Sequence, residues 1–103
     1  MAAINSSQDD LSIERDEGVS KGRYFVRLDG VDAEMTYSRA GKGIIIIDHT
    51  GVPDTLRGRG VGLALVRRAI EDARVEGRVV IALCPFAKAQ IDRHPEWQDV
   101  LKR

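Results

Sequence analysis

A chain of 103 residues, 43% of them apolar and 31% charged, has room for one domain around one modest core. Its 16 basic residues balance its 16 acidic ones, so no net field steers it toward nucleic acid or an anionic membrane surface. A single cysteine excludes an internal disulfide. No apolar run reaches membrane-spanning length, and the first residues lack the charged-then-apolar form of a signal peptide, so a reducing, cytoplasmic setting is the expectation.

Met1 to Asp10 are small and polar, which predicts disorder and leaves a single domain over residues 11–103. Leu11 to Glu14 suits a short first strand, and Gly18 falls in the turn after it. Lys21 to Leu28 alternates, with Tyr24, Val26 and Leu28 on one face. Asp29-Gly30 is a strong hairpin signal, and Val31 to Ser38 returns with Val31, Ala33, Met35 and Tyr37 aligned. After the turn Ala40 to Gly43 comes Ile44 to Val52. Its four successive isoleucines predict a central strand buried on both faces.

Leu63 to Glu76 has helical periodicity, with Leu63, Val66, Ala69, Ile70 and Ala73 as the apolar stripe. Arg67 with Glu71 and Arg68 with Asp72 are i,i+4 pairs on the other side, and Gly77 is placed to end the helix. Val79 to Leu83 is a short apolar strand. Strand, helix and strand make a crossover, so the two strands lie parallel. Pro85 opens a second helix to about Arg93, with Phe86, Ala89 and Gln90 inward, and Trp97, Val100 and Leu101 predict a last short helix packing back. The fold class is therefore α/β: an antiparallel meander joined to a β-α-β crossover.

The richest segment lies between the central strand and the first helix: Arg57-Gly58-Arg59-Gly60-Val61-Gly62. Glycines let the backbone turn tightly and approach a ligand closely. The N–H groups of a helix's first turn have no intrahelical partners, and the helix dipole adds partial positive charge. Arg57 and Arg59 add formal charge. The expected guest is a phosphate. A Walker loop would need Lys-Ser or Lys-Thr after its last glycine, where Leu63-Ala64 stand. A dinucleotide fingerprint would need G-x-G-x-x-G, where Gly58, Gly60 and Gly62 run G-x-G-x-G.

What stands is Arg57-x-x-Gly60-x-Gly62. This resembles the pyrophosphate loop of the GNAT superfamily of N-acetyltransferases. His49-Thr50-Gly51-Val52-Pro53 before it, and Cys84-Pro85-Phe86 and His94-Pro95-Glu96-Trp97 after it, resemble the short single-domain members of that superfamily over most of the chain. The resemblance implies a minimal GNAT-like fold whose central and following strands splay around acetyl-CoA (CoA). It places the pantetheine along Thr50, Gly51 and Val52, and the pyrophosphate on Arg57, Gly58, Arg59, Gly60, Val61 and Gly62. It also implies an amine acceptor, small molecule or protein lysine, and no nucleic acid or membrane partner. Relative to larger members the chain lacks a helical pair between its first strands and the long C-terminal strands that cover the acceptor, so a large or exposed acceptor is the expectation.

Acetyl transfer to an amine needs a base, a donor to the oxyanion and a proton for the departing thiolate. His49, at the end of the central strand, is the candidate base, since an imidazole titrates near neutral pH; the other reading is a histidine bonded to backbone. Cys84 ends the parallel strand across the splay. It is a candidate acyl acceptor, or acid for the thiolate, against the reading of a small buried hydrophobe. Glu34 is a solvated alternative to His49, and Phe86 stands where many relatives carry a proton-donating tyrosine. Tyr24 and Tyr37 read as core or sheet residues. The His94-Pro95-Glu96-Trp97 segment supplies too few ligands for zinc, so no metal is expected. Lys88, Arg93, Lys102 and Arg103 read as a solvated face with a possible role at the adenosine 3′-phosphate. A non-catalytic acyl-CoA-binding module is the alternative to an enzyme, and an interaction domain holding another anion is a third reading.

Overall fold

The computed structural model describes residues 12–101. The segment expected to be disordered, the expected strand start at Leu11, and Lys102 and Arg103 lie outside the described residues. Five strands form one sheet in the order β1-β2-β3-β4-β5. They are β1 (Glu14–Glu17), β2 (Lys21–Leu28), β3 (Val31–Arg39), β4 (Ile44–Gly51) and β5 (Val79–Ala82). All neighbours are antiparallel except β4 and β5, which run parallel. The helix between those two, α1 (Val61–Glu76), is the crossover, and α2 (Pro85–Asp92) follows β5. The meander and the crossover are therefore as the sequence predicts.

Local chemistry accounts for the turns. Asp29 and Gly30 both have positive φ, 54° and 80°, the conformation of a two-residue hairpin turn that matches strand twist. Gly77 ends α1 in the left-handed region, and its flanking amides return to the last carbonyls. Tyr24, Val26, Ala33, Met35, Tyr37, Ile45 and Ile47 are the buried side of the sheet, and Leu65, Val66, Ala69, Ile70 and Ala73 meet them from α1. Ala87 and Ile91 of α2, with Trp97 and Val100 of the final turn Pro95–Val100, join the same cluster. Leu101 then bridges to Val80 in parallel.

Four expectations need correction. The first strand begins at Glu14, where pairing with Phe25 starts. Its inward residues are Arg15 and Glu17, an ionic seam that an apolar pattern does not reveal. The isoleucine run is fully buried only at Ile45 and Ile47; Ile44 and Ile46 are half-buried. They stand on a sheet face against which no helix among the described residues packs. Leu63 is half-buried rather than a core residue, and Leu65 takes that place. On α2 the inward residues are Ala87 and Ile91, while Phe86 and Ala89 are exposed. Of the two ion pairs expected on α1, Arg68–Asp72 is present at 3.1 Å.

The ionic seam ties β1 to the end of α1. Arg15 bonds Glu17, Asp72 and Glu76, and Arg78 bonds Glu17 at 2.8 Å. The Tyr37 hydroxyl donates to Glu17 and that of Tyr24 donates to Asp72, at 2.6 and 2.8 Å. Arg78, then Tyr37 and Arg15, hold the Glu17 carboxyl well below the usual carboxylate range against the cost of desolvation. Arg15 does the same for Glu76. A folded-state pKa below the unfolded value stabilises above the unfolded pKa, and the benefit is lost as pH falls through the carboxylate range. Urea denaturation should therefore show Glu17→Gln less stable by about 1–3 kcal/mol near neutral pH. The gap to the wild type should begin to narrow as pH falls below about 5 and should close only well below the usual carboxylate range.

Candidate functional site

The site begins where two strands part. β4 and β5 pair from Ile44 opposite Val79 to Ile47 opposite Ala82. The Ile47 carbonyl then accepts from both the Leu83 and the Cys84 amides, at 3.0 and 3.1 Å. Beyond it β4 has no residue paired with β5. At the same level β4 slips against β3. Tyr37 faces Ile47 but Thr36 faces His49, which leaves Asp48 as a bulge. A bulge bends its strand and shifts the alternation of side chains by one. After it, Thr50 lies opposite buried Met35 on the helix side, while His49 lies opposite Thr36 on the uncovered side.

The chain leaves β4 through Val52 and Pro53, makes the short 3-10 turn Asp54–Leu56, and buries Leu56 as an anchor. Gly58 and Gly60 then take φ of 79° and 76°, which disfavours any residue with a Cβ. Gly60 caps α1 without a side-chain bond, and no acidic residue stands in the first turn. The first-turn N–H groups are thus left for a ligand or solvent. They open on a cleft of about 600 Å³ between the β4 end, the loop and α2. At Gly62 space rather than φ is limiting. A Cβ there would come within 2.6 Å of the Phe86 ring and 3.4 Å of Val52, so the backbone itself forms that wall.

Thr50, Val52, Arg57, Gly58, Gly60, Val61 and Gly62 line this cleft. Two other expected residues do not. Gly51 faces a groove on the opposite side of the sheet, because one residue along a strand reverses the face. Arg59 leaves the loop to pair with Asp29 in the β2–β3 turn. Arg57 is the single charged residue of the lining, and its guanidinium pairs with exposed Asp54 at 3.0 Å. The lining also includes Leu56, Leu63, Phe86 and Gln90. Phe86 and Gln90 are four apart on one face of α2, a spacing legible in the sequence. Leu63 reads there as core because its period matches the buried stripe.

The two candidate catalytic residues are not brought together. Cys84 caps α2 and is 5% exposed, and its thiol donates to Thr50 Oγ1 at 3.3 Å. His49 is exposed on the other face, with its Nε2 beside Gly51. Adjacent strand residues point to opposite sides, so Thr50 belongs with Cys84 and His49 does not. His94 is elsewhere: it stacks on Trp97 with ring centroids 3.9 Å apart and its Nδ1 meets the Gln90 carbonyl at 2.6 Å. No cluster of metal-ligating residues occurs among the described residues.

A sheet whose parallel strands part beyond Ile47, with a glycine-rich helix start facing the gap, is the architecture that the resemblance to N-acetyltransferases implies. Residues 23–100 match the family described as GCN5-related N-acetyl-transferase. The chain belongs to this family. Protein NATD1 of Xenopus tropicalis is 31% identical over 96 residues, 90% of this chain and 88% of that one. Protein NATD1 of Gallus gallus is 29% identical over 87 residues, covering 82% of this chain and 77% of that one. A GCN5-like protein of Staphylococcus aureus, solved in solution by NMR, superposes with a TM-score of 0.67 at 37% identity, covering 86% and 87% of the two chains.

Glycine substitutions should separate wall from core. At Gly22 a Cβ would lie 2.4 Å from the ring of Tyr37, which is buried and held by Glu17 and Arg15. At Gly62 the obstacle is the tip of Phe86, which is 39% exposed and free to turn outward. In urea, Gly22→Ala should lose about 1–3 kcal/mol. Gly62→Ala should lose less than about 1 kcal/mol, since Phe86 gives way.

Proposed function

We propose that this chain binds acetyl-CoA in the cleft and transfers the acetyl group directly to an amine presented on the uncovered face of the sheet. The observation that carries the reading is the loop. Three glycines and an uncapped helix start, with Arg57 and no acidic group in the first turn, face the point where β4 and β5 separate. Such a cradle suits a pyrophosphate. Val52, Leu63 and Phe86 supply apolar wall for a pantetheine arm. Acetyl-CoA supplies the thioester; the unpaired strand ends and first-turn amides supply donors for its oxygens.

Direct transfer is favoured by the division of faces. The acceptor nitrogen forms a bond to the acetyl carbon as the carbon–sulfur bond breaks. His49, on the acceptor side, takes the amine proton. Cys84, on the cleft side, returns a proton to the departing thiolate and is reprotonated by solvent. A covalent route through Cys84 would need a base beside the thiol, and the thiol bonds the Thr50 hydroxyl instead. The second reading is an acyl-CoA-binding module without catalysis. It is favoured by the cleft lining, which holds no histidine, carboxylate or tyrosine. A cytoplasmic location accords with the single cysteine, and no helix among the described residues is long and apolar enough to cross a membrane.

Calorimetry with acetyl-CoA tests the reading. Micromolar binding is expected, and Gly60→Asp should weaken it at least about a hundredfold, because a carboxylate enters an anion site. Equal affinity for both proteins would remove the loop from the site. Intact mass after incubation with acetyl-CoA alone should show no acetyl group on Cys84; an adduct mapped there would replace direct transfer by the covalent route. With an amine panel, His49→Ala should reduce turnover by about 10²–10⁴-fold near neutral pH and recover as pH approaches the amine pKa. Binding without turnover on any amine would leave the non-catalytic module.

A further inference from the structure

Among the described residues, Arg67 is the one half-buried cation that enters no ion pair; Arg15, Arg39, Arg68 and Arg78 all have one. Its Nε is sealed from solvent and has no hydrogen-bond partner, the single buried side-chain nitrogen or oxygen among the described residues in that state. Glu71 stands one turn on, yet the pair that the spacing predicts does not form, whereas Arg68 and Asp72 meet at 3.1 Å. A sealed donor left unmet is costly, and a group kept in that state calls for a partner from outside the chain.

Helix phase places it. Leu63, Arg67 and Arg74 lie at i, i+4 and i+11, on one stripe of α1. Leu63 lines the cleft. Arg74 reaches the Glu96 carbonyl and Asp99 in the last turn. Beside Leu63, Gly62 faces the Phe86 ring of α2. Arg67 is thus bracketed in the seam between α1 and α2, about 6 Å along the axis from Leu63. Across the seam, half-buried Gln90 also lines the cleft. Its carbonyl meets His94 Nδ1, while its side-chain amide bonds nothing among the described residues. A guanidinium and an amide, both without partners, therefore stand at the end of a cleft whose lining holds no carboxylate. The proposed cofactor fixes what arrives there. With its pyrophosphate at the helix start and its pantetheine toward Thr50 and Val52, its other end leaves on the side of Leu63, Phe86 and Gln90. That end carries a phosphate monoester, which a planar guanidinium fork holds with two parallel bonds.

We propose that this seam receives the adenosine end of CoA and that Arg67 binds its 3′-phosphate, which makes the chain selective for CoA over the 3′-dephospho form. The proposal rests on the reading of the cleft as an acetyl-CoA site. Calorimetry with CoA and with 3′-dephospho-CoA tests it on the wild type, Arg67→Met, Arg67→Lys and Arg93→Gln. Arg93, an exposed cation at the end of α2, is the control. The wild type should bind CoA at least about tenfold more tightly than dephospho-CoA. Arg67→Met should lose that preference and hold dephospho-CoA as the wild type does, which also shows that it folds. Arg67→Lys should keep part of the preference, and Arg93→Gln all of it. In urea, without cofactor, Arg67→Met should be no less stable than the wild type, because it discards an unmet donor. Equal loss of affinity for both forms, or a loss of stability, would make Arg67 a brace between the helices and overturn the proposal. A preference that survives in Arg67→Met, or vanishes in Arg93→Gln, overturns it as well. A wild type that binds both forms equally removes the phosphate contact while keeping the loop. A wild type that binds neither removes the loop reading and this one with it.

Discussion

The parting of β4 from β5 is the constraint on which the rest of this molecule depends. It is fixed by one carbonyl. Ile47 O satisfies two consecutive amides of the chain leaving β5, so the parallel ladder ends there, and α2 starts at once with Pro85. The bulge at Asp48 turns β4 away at the same level. Strand ends that would otherwise satisfy each other are left facing a gap. Buried backbone groups without partners are costly, so a gap of this kind persists only where solvent or a ligand can enter.

Holding such a gap open needs a rigid surround. α1 supplies it, anchored at both ends by different physics. At its start, buried Leu56 and Val61 fix the loop while Gly60 leaves the amides uncovered. At its end, Arg15, Asp72 and Glu76 lock it to β1, and Arg74 bonds Asp99 and the Glu96 carbonyl in the last turn. Between them lies a continuous apolar core in which no polar or charged residue is buried among the described residues. A helix pinned in this way keeps its N-terminal dipole aimed at the cleft.

The sheet divides the proposed chemistry between its faces. The glycine-rich helix start and the Cys84 thiol are on the helix side, and His49 is on the other. The strand end from Thr50 to Val52 borders both faces, because Thr50 and Val52 line the cleft, Gly51 points the other way, and the pairing with β5 has ended. A transferase needs that arrangement: donor and acceptor must approach from different directions and meet at one carbonyl.

Much of this was legible in the sequence. Alternation gave β2 and β3, Asp29-Gly30 gave their turn, and the order of strand, glycine loop and helix gave the crossover and its uncapped helix start. These are short-range properties, set by backbone conformation and local periodicity. The sequence also supplied the family resemblance, and with it the cleft. It did not reveal that Arg15 and Glu17 face inward, because their half-buried position depends on partners from α1 and β3 about twenty to sixty residues away. Nor did it show that Arg59 leaves the loop for Asp29, or that a bulge at Asp48 puts His49 and Cys84 on opposite faces. A bulge exists only in the register between two strands, and no spacing within one strand encodes it. Composition and local pattern determined which elements form; the pairing of β4 with β3 on one side and β5 on the other decided which side chains meet.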